Sequence, residues 1–308
     1  MQKLKGEAIL FAAAVIWGTA FVFQKMGMDY IGPFTFGVFR FLLGAICLGA
    51  FTLLVDGIKK KKQQGSAEGI VPWTDRTLLA GGLAIGIANF VGCSLQQIGI
   101  VYTTAGKAGF ITALDIVIVP FFLVLMRRKV HGLTWAGVVV AAFGLYLLCI
   151  TEGFTVQLGD GLVMACAVAY SIQILLIDHY TELVDPFKLC FYEFSVTAVL
   201  SAVAALMFET ISLSAIVACA GPILFTGILE VAVAFTLQMV GQKYTPPAIA
   251  TIIMASECVF AVLAGAVVLG EVMTGREILG CIIMFGAFIL AQIPELLGDD
   301  QEEQEEEI

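Results

Sequence analysis

Apolar residues run through this chain in stretches long enough to cross a bilayer, parted by short polar links. A helix needs about 20 mostly apolar residues to span the hydrocarbon layer. By that rule the pattern predicts ten spans, at 6–26, 33–55, 77–98, 103–126, 133–150, 159–178, 187–208, 215–240, 246–269 and 276–294. The link 99–106 is so short that spans three and four form a tight hairpin. The predicted class is an all-α membrane protein.

The same pattern is written twice. Tyr102–Cys149 lies over Tyr244–Ala291 without a gap at an offset of 142, so that Tyr102 meets Tyr244, Asp115 meets Glu257 and Gly144 meets Gly286. The first part of each copy matches at an offset of 153: Gly6 meets Gly159, Trp17 meets Tyr170, Pro33 meets Pro186 and Arg40 meets Glu193. The second copy is thus eleven residues shorter, in the loop where the first holds Lys59–Lys62 and Pro72. A solvent loop tolerates such a deletion. The copies take residues 1–152 and 153–297, followed by a tail at 298–308. An internal repeat that keeps the place of a carboxylate in an apolar chain is the usual build of a membrane transporter.

Basic residues orient the spans. Lys3, Lys5, Lys59–Lys62, Arg76, Arg127, Arg128, Lys129, Lys188 and Lys243 all fall on one side of a ten-span arrangement, while Lys25 and Arg276 fall on the other. Both termini are therefore expected in the cytoplasm. Five is odd, so the second copy enters from the opposite face, which predicts a 5+5 inverted-topology repeat.

Composition narrows the class further. Of 308 residues, 60% are hydrophobic and 13% charged, with a mean hydropathy of +0.98, outside the range of soluble domains,. The net charge of −9 misleads until it is located, because seven of the acids lie in Asp299–Ile308. That block repels itself and is expected to be a solvated, disordered cytoplasmic tail. No basic patch points to nucleic acid. The eight cysteines (Cys47, Cys93, Cys149, Cys166, Cys190, Cys219, Cys258 and Cys281) form no CxxC pair and sit in apolar stretches. They read as small, reduced core residues, and no metal or other cofactor is expected. The N-terminus resembles a signal peptide, but its apolar run continues to Phe23, which favours an uncleaved first span,.

Four pieces in order carry a family resemblance: WGTAFVFQK at Trp17–Lys25, FRF at Phe39–Phe41, YTPPAIATIIMASECVF at Tyr244–Phe260 and VLGE at Val268–Glu271. On these the chain resembles the drug/metabolite transporter superfamily, in its EamA-type branch of two five-helix repeats. The resemblance covers about residues 5–294. It implies a carrier of amino acids, sugars, nucleobases, vitamins or other metabolites, and names no single substrate. One departure is Cys258, where the family pattern often has a proline after the glutamate matched by Glu257. A kink at that point is therefore in question.

Ionisable groups at membrane depth cost roughly 2.5–3.5 kcal/mol each on insertion scales, so each needs a reason. Six qualify: Arg40, Lys107, Asp115, Glu193, Glu230 and Glu257. Arg40 and Glu193 are repeat-equivalents of opposite sign, Asp115 and Glu257 of the same sign. Two readings stay open. Arg40 and Glu193 neutralise acids or each other and lock helices, or members of the set line an aqueous cavity. Lys107 lies near a span end, from which its stem reaches water. Glu230 has Ala88 opposite it in the other copy, so symmetry does not explain it. Substrate choice or proton coupling suits it better than fold maintenance, since a carboxylate exchanges protons as its surroundings alternate between wet and dry.

Asn89 and Gln96 stand seven residues apart and share a face, with Gln97 beside them and Gln238 as the counterpart of Gln96,. They serve either a cavity or interhelical hydrogen bonding. Trp17 and Tyr170 are equivalents at mid-span, as aromatic cavity walls or as plain packing. Gly82, Gly86 and Gly92 read as close helix packing. Pro120 interrupts span four and predicts a kink, and Glu271 reads as a structural or interfacial acid. The candidate substrate-binding set is thus Trp17, Arg40, Asn89, Gln96, Asp115, Tyr170, Glu193, Glu230, Gln238 and Glu257.

No HExxH, GxSxG or GxxxxGK[ST] occurs, and the only histidines, His131 and His179, sit near span edges, so neither an enzyme nor an ATP-driven pump is expected. The expectation is a secondary transporter of a small polar metabolite in the bacterial plasma membrane, working by alternating access. The resemblance favours an exporter of amino acids or related metabolites, with an uptake permease or an uncoupled channel as alternatives. Its partners would be the small-molecule substrate, the lipid bilayer and protons as coupling ion, and the chain would be a monomer or a homodimer.

Overall fold

The computed structural model describes residues 2–62, 72–102, 105–149, 158–269 and 274–297. Among these, all regular structure is helical. The first copy holds α1 (Gln2–Gly27), α2 (Pro33–Lys62), α3 (Arg76–Tyr102), α4 (Ala105–Thr112), α5 (Asp115–Leu125) and α6 (Gly132–Cys149). The second holds α7 (Leu158–Thr181), α8 (Pro186–Phe208), the short α9 (Leu213–Ala218) and α10 (Ala220–Phe225), and a π-helical segment at Thr226–Phe235. Then come α11 (Thr236–Gln242), α12 (Pro247–Met254), α13 (Glu257–Leu269) and α14 (Gly275–Leu297). Glu271, the tail Asp299–Ile308, and the side chains of Lys107 and Cys149 lie outside the described residues.

Helices stand where the apolar runs lie, and polar chemistry sets their starts. Prolines open α2, α8 and α12, where a missing N–H costs nothing,. Asp185 accepts from the backbone N–H groups of Phe187 and Lys188 and so caps α8,. Among the described residues, seven helical stretches are long and apolar enough to cross a membrane, and the shorter apolar helices Asp115–Leu125, Gly132–Gly144 and Ile278–Ala287 overlap three further predicted spans. The seven cysteines with described side chains are reduced thiols, five of them buried.

Equivalent helices of the two copies pack on each other: α2 on α8, and α6 on α14. The α2–α8 pair is tied at both ends. Glu209, just past the end of α8, accepts from the N–H groups of Phe34 and Thr35 at the start of α2, at 2.8 and 2.7 Å. At the far end of α2, Asp56 meets Lys188 of α8 at 2.7 Å. The two helices therefore run antiparallel, as an inverted repeat requires. Other extensive contacts also cross between the copies. Helix α1 packs on α11, the π segment and α13, while α7 packs on α3, α4 and α5.

Glycines let these swapped contacts close. Gly6 of α1 lies against Gly241 of α11, and Gly159 of α7 lies against Gly99 of α3; an added Cβ would meet the facing carbonyl oxygen at 2.8–3.0 Å. These two crossings are themselves repeat-equivalents. Small residues there bring backbones together without a clash. Gly82, Gly86 and Gly92 of α3 likewise pack on Tyr192, Val196 and Tyr170, as a packing stripe should.

The expected kink at Pro120 is not where span four breaks. Helix α5 continues through Pro120, and the interruption falls earlier, at Ala113 and Leu114. Span nine breaks at the equivalent Ala255 and Ser256 although no proline follows Glu257. In both copies the backbone tightens to three-residue bonds at matching positions: Leu114 to Ile111 and Ser256 to Ile253, then Ile116 to Ala113 and Cys258 to Ala255,. The Ser256 hydroxyl also bonds the Ile253 carbonyl at 2.6 Å, competing with the helix ladder,. Each break leaves a carboxylate, Asp115 or Glu257, as the first residue of the next helix.

Candidate functional site

Between the copies lies a cavity with about 60 Å³ of room for the centres of water-sized spheres. Its walls come from both halves. The two acids placed by the helix breaks, Asp115 and Glu257, both line it. So do the equivalent aromatics Trp17 and Tyr170 and the equivalent amides Gln96 and Gln238. Three repeat-related pairs thus surround one space, and Glu230, which has no acidic counterpart, joins them.

Glu230 sits inside the ten-residue π segment. A wider helical turn leaves backbone groups mismatched with the ordinary ladder and re-aims side chains, which is why such segments gather at functional positions. One carboxylate oxygen, Oε1, accepts from Arg40 at 2.9 Å and from Gln24 Nε2 at 2.9 Å. Oε2 has no partner among the described residues. Arg40 is 1% exposed, and its guanidinium lies 4.9 Å from the Phe41 ring centre and 5.4 Å from that of Phe36,. A buried pair of this kind is strongly destabilising to break, because a lone charge is left behind.

Three sequence-predicted residues do not line the cavity. Arg40 lies behind Glu230. Glu193, expected as a partner of Arg40 or of another charge, is instead hydrogen-bonded by Gln173 Nε2; Arg40 is drawn to the acid on the π segment that packs on α2. Asn89 is fully buried, donates to Thr197 Oγ1 of α8 at 3.2 Å and accepts from Cys93 at 3.2 Å. It therefore joins helices, the second of the two readings open for it.

The polar links continue along α3. Tyr170 OH stands 3.1 Å from Cys93 Sγ and donates to Gln96 Oε1 at 3.4 Å, while Gln96 Nε2 donates to Thr112 Oγ1 at 3.1 Å. Gln97 Nε2 reaches the Gln24 carbonyl at 3.2 Å. The Trp17 ring meets Phe235 edge-on at 5.2 Å. Trp17 and Tyr170 are thus both packed and cavity-facing.

Gln24, Gln173 and Thr112 line the cavity too, and sequence reasoning missed them. A signal existed for two. Gln24 is seven residues after Trp17 and Gln173 three after Tyr170, spacings that share a helix face.

A family model for EamA-like transporters matches this chain twice, over residues 4–150 and 157–292. A protein of Archaeoglobus fulgidus named as an uncharacterized transporter is 30% identical over 297 residues, covering 95% of this chain and 87% of that protein. One solved crystal structure, at 19% identity, superposes with a TM-score of 0.70 over 94% of this chain and 96% of its own. That likeness is one of fold.

Proposed function

This chain belongs to the EamA-like transporter family and is an integral membrane protein, and from that premise we propose that it is a secondary transporter of a small polar metabolite working by alternating access. In this reading the seven long helical stretches and three shorter ones make ten spans, the second five inverted on the first. Both termini face the cytoplasm across a bacterial plasma membrane. Substrate binds between the copies, and the copies rock around it.

The observation that carries the reading is the cavity whose opposed walls are repeat-related: Asp115 with Glu257, Trp17 with Tyr170, Gln96 with Gln238. An intramembrane carboxylate facing a cavity marks a substrate or proton path. At roughly 10–15 Å³ of centre space per water, the cavity takes about four to six waters, the scale of an amino acid rather than of a bulky drug. Export of amino acids or related metabolites fits that size and the family. Protons are the proposed coupling ion, taken up and released at these carboxylates as the site closes and opens.

The test is flux in proteoliposomes, with and without a pH gradient, over a panel of amino acids and small metabolites. Saturable flux with counterflow is the expected result for some member, and Glu230→Gln should cut it at least tenfold in a protein that still inserts and elutes as a single species. A current linear in voltage, with no saturation, would replace the carrier by a channel. Normal transport with unchanged pH dependence in Glu230→Gln would remove Glu230 from the mechanism.

A further inference from the structure

Taking the cavity as the transport site, we infer that its substrate is an organic cation with two ammonium groups, a diamine or a basic amino acid, recognised at Asp115 and Glu257. The charges on the wall point one way. Asp115, Glu230 and Glu257 line the cavity, and among the described residues no lysine, arginine or histidine does. The nearest cation to Glu230, Arg40, is already bonded to it from behind and packed over two phenylalanine rings. No described cationic side chain in the wall pairs with a substrate phosphate or carboxylate, so the carboxylate of a basic amino acid would fall to the neutral donor Trp17 Nε1, which has no partner among the described residues.

The unpaired hydrogen-bonding atoms agree. Gln24 Oε1, Glu230 Oε2 and Gln238 Oε1 belong to cavity-lining side chains 3–4% exposed, and have no partner among the described residues. All three are acceptors. Gln24 spends its amide nitrogen on Glu230, so the oxygen is the end left over. Against these stands an unpaired donor in the described wall, Trp17 Nε1. An ammonium group offers three donors and no acceptor, which is the complement of this wall.

Helix ends close off the opposite reading. A half-helix N-terminus in a transporter ordinarily attracts an anionic substrate group. Here the first residues of α5 and α13 are the chain's own carboxylates. The N–H groups that follow are already bonded to the carbonyls of Ala113 and Leu114 or of Ala255 and Ser256, so neither start offers an anion site, and each presents a carboxylate to the cavity instead. The aromatic rings of Trp17, Phe21, Tyr170 and Phe235 belong to the same wall, and a cation seated over a ring face gains further attraction. Two mirror-related acids offer a place for two positive charges, one ammonium group at each.

The experiment is binding to the purified full-length protein at fixed pH and ionic strength, by calorimetry and thermal shift, with 1,4-diaminobutane, L-lysine, L-leucine and butyrate. The expected result is that diaminobutane and lysine bind at least tenfold tighter than leucine and that butyrate does not bind. Asp115→Asn and Glu257→Gln should each weaken lysine at least tenfold, and Trp17→Phe, which keeps a ring, should weaken it by less. Having two acid variants on separate helices keeps the test standing if one fails to fold. Leucine or butyrate binding as tightly as lysine would overturn the inference, as would unchanged lysine affinity in both acid variants. Saturable leucine counterflow with no response to either cation would overturn the cation and leave the carrier standing. Loss of saturable flux for every probe would overturn both.

Discussion

Residues 84–93 of α3 and the π segment Thr226–Phe235 occupy the same place in the two copies. The first is ordinary α-helix, packed by glycines against α7 and α8. The second is widened and carries Glu230 where the first has Ala88. Arg40 follows the asymmetry: it pairs with Glu230, whereas its own counterpart Glu193 has no acid or base at the mirror position, which is Ala88, and takes an amide from Gln173 instead. Duplication supplies a cavity with matched walls, and the departure from duplication supplies the ion pair behind one of them.

The sharpest break of that comparison is Arg40→Met. It strips the partner from a buried carboxylate and should cost about 3–5 kcal/mol in unfolding measurements. Arg40→Met with Glu230→Leu should regain most of that stability without regaining transport. A loss under about 1 kcal/mol for the single change would mean that the pair is solvated in the native state. Next comes Ala88→Glu, which writes the acid into the copy that lacks it. It should destabilise by roughly 2.5–3.5 kcal/mol, and adding Glu193→Arg should recover most of the loss by rebuilding the ion pair in mirror image. No recovery would show that the wider helical turn, and not only charge, is needed. A smaller effect tests what the copies share. Gly241→Ala and Gly99→Ala insert a methyl at equivalent crossings, and each should cost about 1–3 kcal/mol. Costs differing by more than that range would show that the two crossings do not bear equal loads. The least perturbing check is of orientation: single cysteines at Lys60 and after Gly298 should react with an impermeant reagent from the same face, and labelling from opposite faces would sink the ten-span topology.

Much of the frame is legible in the residues alone. The repeat offsets give the matched pairs, because equivalent positions in an inverted repeat meet at a shared axis; Asp115, Glu257, Trp17, Tyr170, Gln96 and Gln238 follow from that. The helix breaks are not legible. Ala113, Leu114, Ala255 and Ser256 include neither glycine nor proline, and the visible breaker, Pro120, is accommodated within α5. The π segment leaves no mark either, since a shift in backbone bonding partner changes no residue type. The partner of Arg40 depends on how α2 lies against a distant helix, which local pattern does not contain. Gln24 and Gln173 escape notice because their repeat counterparts, Ile177 and Ala20, are apolar; a search guided by symmetry passes over what symmetry does not repeat.

The ties at both ends of α2 and α8 carry a mechanical consequence. Clamped by Glu209 at one tip and by Asp56 with Lys188 at the other, the two rods are unable to slide lengthwise or splay without losing charged contacts. They form a stiff keel. In the alternating-access cycle proposed above, bending would then fall to the helix breaks before Asp115 and Glu257, directly beside the two acids that line the cavity.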